Sequence, residues 1–162
     1  MTGPAIRLAP VALADKPALW AMMSEYLIEH ARKVDPGGAG DPLAYDYFDL
    51  YWTEPERRPY WIEHEGARAG FALVNAWSPS GLGVDHAMGE FCVAAPWRRH
   101  RIGVAAAGLA FAAHPGQWEL QVHRANPEGM AFWPRAIAAA GARDWSVIEG
   151  DDWRIHRFII AA

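Results

Sequence analysis

Apolar residues at Leu19, Trp20, Met23 and Leu27 recur at helical spacing behind a start signal of Asp15 and Pro17. They predict a helix ending near Arg32. Before it, "AIRLAPV" reads as a short strand; after it, the Gly and Pro of "KVDPGGAGDP" require a loop. "YDYFDLYW" alternates acids with aromatics, and eight residues do not separate a short helix over the core from a flap. From Tyr60 the period changes to two. "YWIEHE" and "AGFALVNAW" predict a hairpin about a Glu65-Gly66 turn, and "SPSGLGVDH" loops to a third strand, "AMGEFCVA". A helix from Gly103 to His114, a Pro115-Gly116 turn, the strand "QWELQVH" and a helix opening at Asn126 follow. Pro134 is expected to kink or shorten that helix. "DWSVI" and "WRIHRFII" close the chain as a hairpin. The order predicts an α+β fold with a mixed sheet flanked by helices.

At 162 residues and 52% hydrophobic content, the chain suffices for one sizeable core, so residues 1–162 are expected to form a single domain. The net charge of -4 argues against a partner held by generic attraction, whether nucleic acid or an anionic membrane. No membrane span or signal-peptide pattern is seen. Cys92, the one cysteine, forms no intramolecular disulfide, which fits a cytoplasmic protein. The histidines show no metal-ligand spacing, and no metal is expected.

The charge that remains is local. "WRRHRIGVAAAGLAF" sets Arg98, Arg99, His100 and Arg101 directly before a helix entered through Gly103. A helix N-terminus presents unpaired N–H groups and a partial positive charge, and guanidinium groups pair well with phosphate. The same run also reads as a solvated charged loop. An ATP module using this turn is disfavoured, because no Lys-Ser/Thr pair follows the glycine.

"EFCVAAPWRRHRIGVAAAGLAF", "HPGQWELQVHRANPEGMAFW" and "WRIHRFII" together resemble the GNAT superfamily of N-acetyltransferases over most of the chain. The resemblance implies a mostly antiparallel sheet whose two central strands splay around coenzyme A. It implies pyrophosphate binding by the turn, through the backbone of residues 99 to 104, including Ile102, Gly103 and Val104. It also implies pantetheine contacts along Phe91, Cys92 and Val93, where the oxyanion donor would lie, and beside Asn126, Phe132 and Trp133. Two positions depart from the family pattern. Arg101 stands at the first glycine of the turn, and a positive φ there would strain the backbone. Trp133 stands where many members carry the Tyr that protonates the departing thiolate, and an indole N–H has no such acidity. Asn126 is equally explained as an N-cap before Pro127.

Acetyl transfer to an amine needs a proton acceptor. Glu90 is the first candidate, placed by alternation on the face opposite Phe91 and Val93; a structural ion pair with an Arg is the other reading. His123, on the face with Glu119 and Gln121, is the second. Cys92 reads as a buried thiol. Asp46 and Asp49, among aromatics, suit either a cationic acceptor or plain core packing. The expected function is transfer of acetyl from acetyl-CoA, a co-substrate, to the primary amine of a small molecule by direct attack in a ternary complex. A non-catalytic acyl-CoA-binding module is the alternative. "HRFIIAA" reads either as an edge joining a homodimer or as an inner strand.

Overall fold

A computed structural model describes residues 5–98 and 101–162; Arg99 and His100, two of the expected phosphate-binding residues, lie outside the described residues. The strands are β1 (Ile6–Pro10), β2 (Arg58–His64), β3 (Ala67–Asn75), β4 (His86–Val93), β5 (Gly116–His123), β6 (Arg143–Glu149) and β7 (Trp153–Ile160). The helices are α1 (Lys16–Val34), α2 (Ile102–Ala113) and α3 (Pro127–Ala139), with short 3-10 turns at Leu13–Asp15, Phe48–Trp52 and Ala95–Trp97.

The sheet order is β1-β2-β3-β4-β5-β7-β6, antiparallel except for the parallel pair β4 and β5. The mixed α+β arrangement read from the sequence is the one observed. "HRFIIAA" contributes to an inner strand, β7, and β6 is the edge.

Helices on both faces divide the core into two layers. Under α1 and the Phe48–Trp52 turn pack Leu19, Met23, Phe48, Tyr51, Trp61, Phe71, Leu73 and Cys92. Under α2 and α3 pack Ala72, Val74, Phe111, Trp118, Ile137 and Phe158. Phe111 meets Trp118 and Phe158 edge-on, at centroid distances of 4.9 and 5.2 Å. This explains why β3 is buried on both faces from Ala69 to Asn75, where alternation alone suggests one wet face.

α1 starts where Asp15 and Pro17 signal it, at Lys16; Asp15 makes no side-chain cap, and its carboxylate pairs with Arg68 at 3.0 Å instead. One local expectation is corrected: α3 is not shortened at Pro134 but continues through it to Ala139, with Trp133, Ala136 and Ile137 buried on its inner face. Among the described residues, no helix is long and apolar enough to cross a membrane.

Candidate active site

β4 and β5 pair only at His86 with Trp118 and Ala87 with Glu119. Beyond these the strands diverge and leave a cleft of about 560 Å³ between them. A bulge causes part of this. Leu73 lies opposite Glu90 and Val74 opposite Met88, so Gly89 is an extra residue on β4, and bulges bend the strand that carries them. No side chain fits there, since a Cβ on Gly89 would lie 2.6 Å from Asn75 Nδ2 and 2.9 Å from the Tyr51 hydroxyl. The extra residue also exchanges the faces. Met88 packs in the α2/α3 layer, whereas Leu73, the cross-strand partner of Glu90, belongs to the α1 layer. Phe91 and Val93 pack on the α2/α3 side, as alternation from Glu90 requires.

α1 covers the opposite side of the cleft. Its sheet-facing stripe begins with Leu19 and Met23, both fully buried, and continues at helical spacing through Tyr26, His30 and Lys33, which line the cleft. The stripe turns from apolar to polar where the sheet beneath it opens. The Tyr26 hydroxyl donates to Glu90 Oε2 at 2.5 Å. Desolvation raises the Glu90 carboxyl to about 7, against the hydroxyls of Tyr26 and Tyr45, which favour its ionised form. Burial, reinforced by the Glu90 charge, holds the Tyr26 phenol well above its ordinary value. His30 stacks on Tyr26 and is lowered by burial and then by the charges of His123 and Lys33.

β5 supplies the other wall. Glu119, grouped with His123 by alternation, lies outside the cleft. Fully buried, it accepts from Ser78 Oγ, from Ser80 N and Oγ, and from Arg157 Nη1, and so pins the loop before β4. Gln121 and His123 line the cleft. His123 Nδ1 accepts the Ala125 N–H at 3.0 Å. In the neutral ring the proton therefore sits on Nε2, which makes His123 a hydrogen-bond donor toward a ligand rather than a base. Its ring meets Trp153 edge-on at 4.8 Å.

At the start of α2, Arg101 occupies the left-handed region at φ 60° and ψ 20°, the strained alternative. Gly103 lines the cleft, and a Cβ there would lie 2.9 Å from Phe132 Cε2. Ile102 is buried in the core and Val104 half-buried outside the cleft, so each has only its backbone to offer a ligand there. Arg98 lines the cleft, but its guanidinium is committed: Nη1 and Nη2 grip the Glu29 carboxylate at 2.8 and 2.9 Å, and Nε donates to the Val93 carbonyl. Lys33 reaches both Glu29 (3.8 Å) and Glu128 (3.3 Å), so these charges tie α1 to both lips of the cleft.

Asn126 caps α3 through Oδ1, which accepts the Gly129 N–H at 3.2 Å, and also lines the cleft. Phe132 stacks on Phe91, and Trp133 meets Phe91 edge-on at 5.2 Å, completing an apolar wall. Burial pushes the Cys92 thiol up to about 11, so it stays protonated and unreactive near neutrality. Asp46 and Asp49 border a separate groove, where Asp49 pairs with Lys16. The Phe48–Trp52 turn buries Phe48 and Tyr51, which is the core-packing reading of "YDYFDLYW". Among the described residues, no group of three or more His, Cys, Asp and Glu could hold a metal ion.

The structure thus brings Glu90, Phe91, Cys92, Val93, Arg98, Gly103, His123, Asn126, Phe132 and Trp133 to one cleft. Sequence reasoning missed Tyr26, His30 and Glu29. The available signal was the continuation of the Leu19, Met23 stripe to positions 26, 30 and 33.

No protein-family model matches the chain, and no curated protein matches it by sequence. Solved structures do. A GNAT-family acetyltransferase from Streptococcus agalactiae superposes with a TM-score of 0.69 at 10% identity, covering 97% of this chain and 96% of that one. The ribosomal-protein-S18-alanine N-acetyltransferase of Escherichia coli gives 0.61 at 12% identity, covering 98% and 96%. RimJ of Mycobacterium smegmatis, in complex with CoA-disulfide, gives 0.60 at 18% identity, covering 95% and 80%. At such identities the likeness is one of fold, and with its mostly antiparallel sheet opened between two parallel strands, this chain has the GNAT acetyltransferase fold.

Proposed function

We propose that residues 1–162 form one acetyl-CoA-dependent N-acetyltransferase domain that acetylates the primary amine of a small molecule by direct attack in a ternary complex. The observation that carries the reading is the Glu90 carboxylate, raised to about 7, inside the cleft where β4 and β5 part.

The cleft suits the coenzyme. Beyond Ala87 the edge of β4 that faces β5 has no strand partner among the described residues, so its backbone groups suit the amides of a pantetheine arm. Phe91, Phe132 and Trp133 give that arm an apolar wall, and the N-terminus of α2, with Gly103, supplies N–H donors for phosphate. Acetyl-CoA, when bound, supplies the carbonyl carbon to be attacked and a thiol leaving group.

Glu90 takes the proton from the acceptor nitrogen, a task for which a pKa near the working pH is best. His123, with its proton on Nε2, offers a hydrogen bond to the acceptor. The free amides of β4 are the donors for charge developing on the carbonyl oxygen. Protonated Cys92 is no nucleophile, which favours direct attack over a covalent acetyl-enzyme. Its reduced thiol also suits a cytoplasmic setting.

One neighbour's name specifies a protein α-amine as acceptor. A peptide therefore belongs beside small amines in any acceptor panel. The reading of the cleft is tested by isothermal titration with acetyl-CoA and coenzyme A. Saturable binding at one site per chain, unchanged in Glu90→Gln, is expected; no heat with either ligand removes the coenzyme and the reading with it.

A further inference from the structure

Glu90 is held from α1, the helix that covers the cleft: the Tyr26 hydroxyl donates to its Oε2 at 2.5 Å. At the bulge next to Glu90, the Tyr51 hydroxyl accepts from Asn75 Nδ2 at 3.0 Å, at a buried position on β3, and the missing side chain of Gly89 leaves room for both polar atoms.

We propose that Tyr26 is a positioning residue that clamps the Glu90 carboxylate for proton transfer. This rests on the acetyltransferase reading of the same cleft.

The geometry makes the Tyr26 phenol more than filler. A desolvated carboxylate has two oxygens to satisfy, and each unmet lone pair favours taking up a proton. Phenols supply donors without adding positive charge, so they steady the ionised form without neutralising it. The titratable and charged groups around Glu90 are Tyr26 from α1, Tyr45 and Tyr51 from the segment between α1 and β2, with Arg57 acting on both of these, and Cys92 from β4; Glu29, His30, Lys33, Arg98 and His123 share the cleft. Of these, the Tyr26 hydroxyl is hydrogen-bonded to the Glu90 carboxyl.

The test is the titration of Glu90 itself, followed by carbon-13 NMR of glutamate-labelled protein, with Glu90→Gln assigning the signal. Tyr26→Phe keeps the ring against Phe71 and His30 and removes only the hydroxyl. Loss of one hydrogen bond to a carboxylate is expected to raise the Glu90 midpoint by about one pH unit. The acid limb of the acetyl-transfer profile should move with it, giving roughly tenfold lower rates well below the midpoint at unchanged affinity for acetyl-CoA.

A midpoint that stays put or falls in Tyr26→Phe overturns the clamp, as does an unmoved acid limb. A midpoint that rises in a protein that acetylates no amine overturns the acetyltransferase reading, and the positioning role with it. The NMR arm needs no activity, so the two failures are distinguishable.

Discussion

Arg101 holds a left-handed backbone at the entrance of α2, a conformation that costs a side-chain-bearing residue about 1–2 kcal/mol. Arg101→Gly should therefore stabilise the protein by about 1 kcal/mol, read as a rise in Tm, and should not weaken acetyl-CoA binding. Gly89 makes the opposite case. A methyl group there meets the Asn75 amide and the Tyr51 hydroxyl, so Gly89→Ala should destabilise by about 1–3 kcal/mol in chemical denaturation. Both positions carry signals in the sequence, an arginine at a family glycine and a glycine inside an apolar strand. What the glycine does was not legible, because a bulge is a relation between two strands and only β3 shows which residue is extra. Glu90 was legible as a base by alternation and by resemblance. Its partner Tyr26 lies sixty-four positions away and was not.

The elements themselves were read well wherever periodicity decided them, from α1 to the closing hairpin. Where it failed, tertiary packing had overridden a local rule. Pro134 removes one backbone hydrogen bond from α3, yet the helix persists because Trp133, Ala136 and Ile137 hold its inner face to the sheet. Pro134→Ala should accordingly raise stability by about 1–3 kcal/mol. β7 carries a second tension. His156 is buried, accepts the Trp145 indole N–H on Nδ1, and leaves Nε2 without a partner among the described residues. Burial, then the nearby Arg154 charge, holds its pKa down at about 4. The unfolded chain takes up this proton near the ordinary histidine value of about 6.5, and the folded chain does not until near 4. Stability should thus fall as pH drops through that window, and His156→Leu should flatten the fall in urea titrations at several pH values.

At the scale of the molecule, the net charge argues against a partner held by generic attraction, and the fold locates a cleft between β4 and β5. α1 is the part that joins the levels. Its apolar half seals the core, its polar half covers the cleft, and Glu29 and Lys33 tie it to both lips through Arg98 and Glu128. A ligand's phosphates would compete with Glu29 for Arg98, and salt weakens both pairs, so coenzyme affinity should fall with added salt less steeply than screening of a free arginine alone would give. The central claim is that Glu90 serves as the base for acetyl transfer in this cleft. Its most direct test is the release of free thiol from acetyl-CoA across a panel of small amines and peptides, with wild type and Glu90→Gln side by side. The account predicts turnover with at least one amine, falling with an acid limb near the Glu90 value of about 7, and a loss of about a hundredfold or more in Glu90→Gln at unchanged coenzyme affinity. Turnover that survives the substitution undiminished would contradict it.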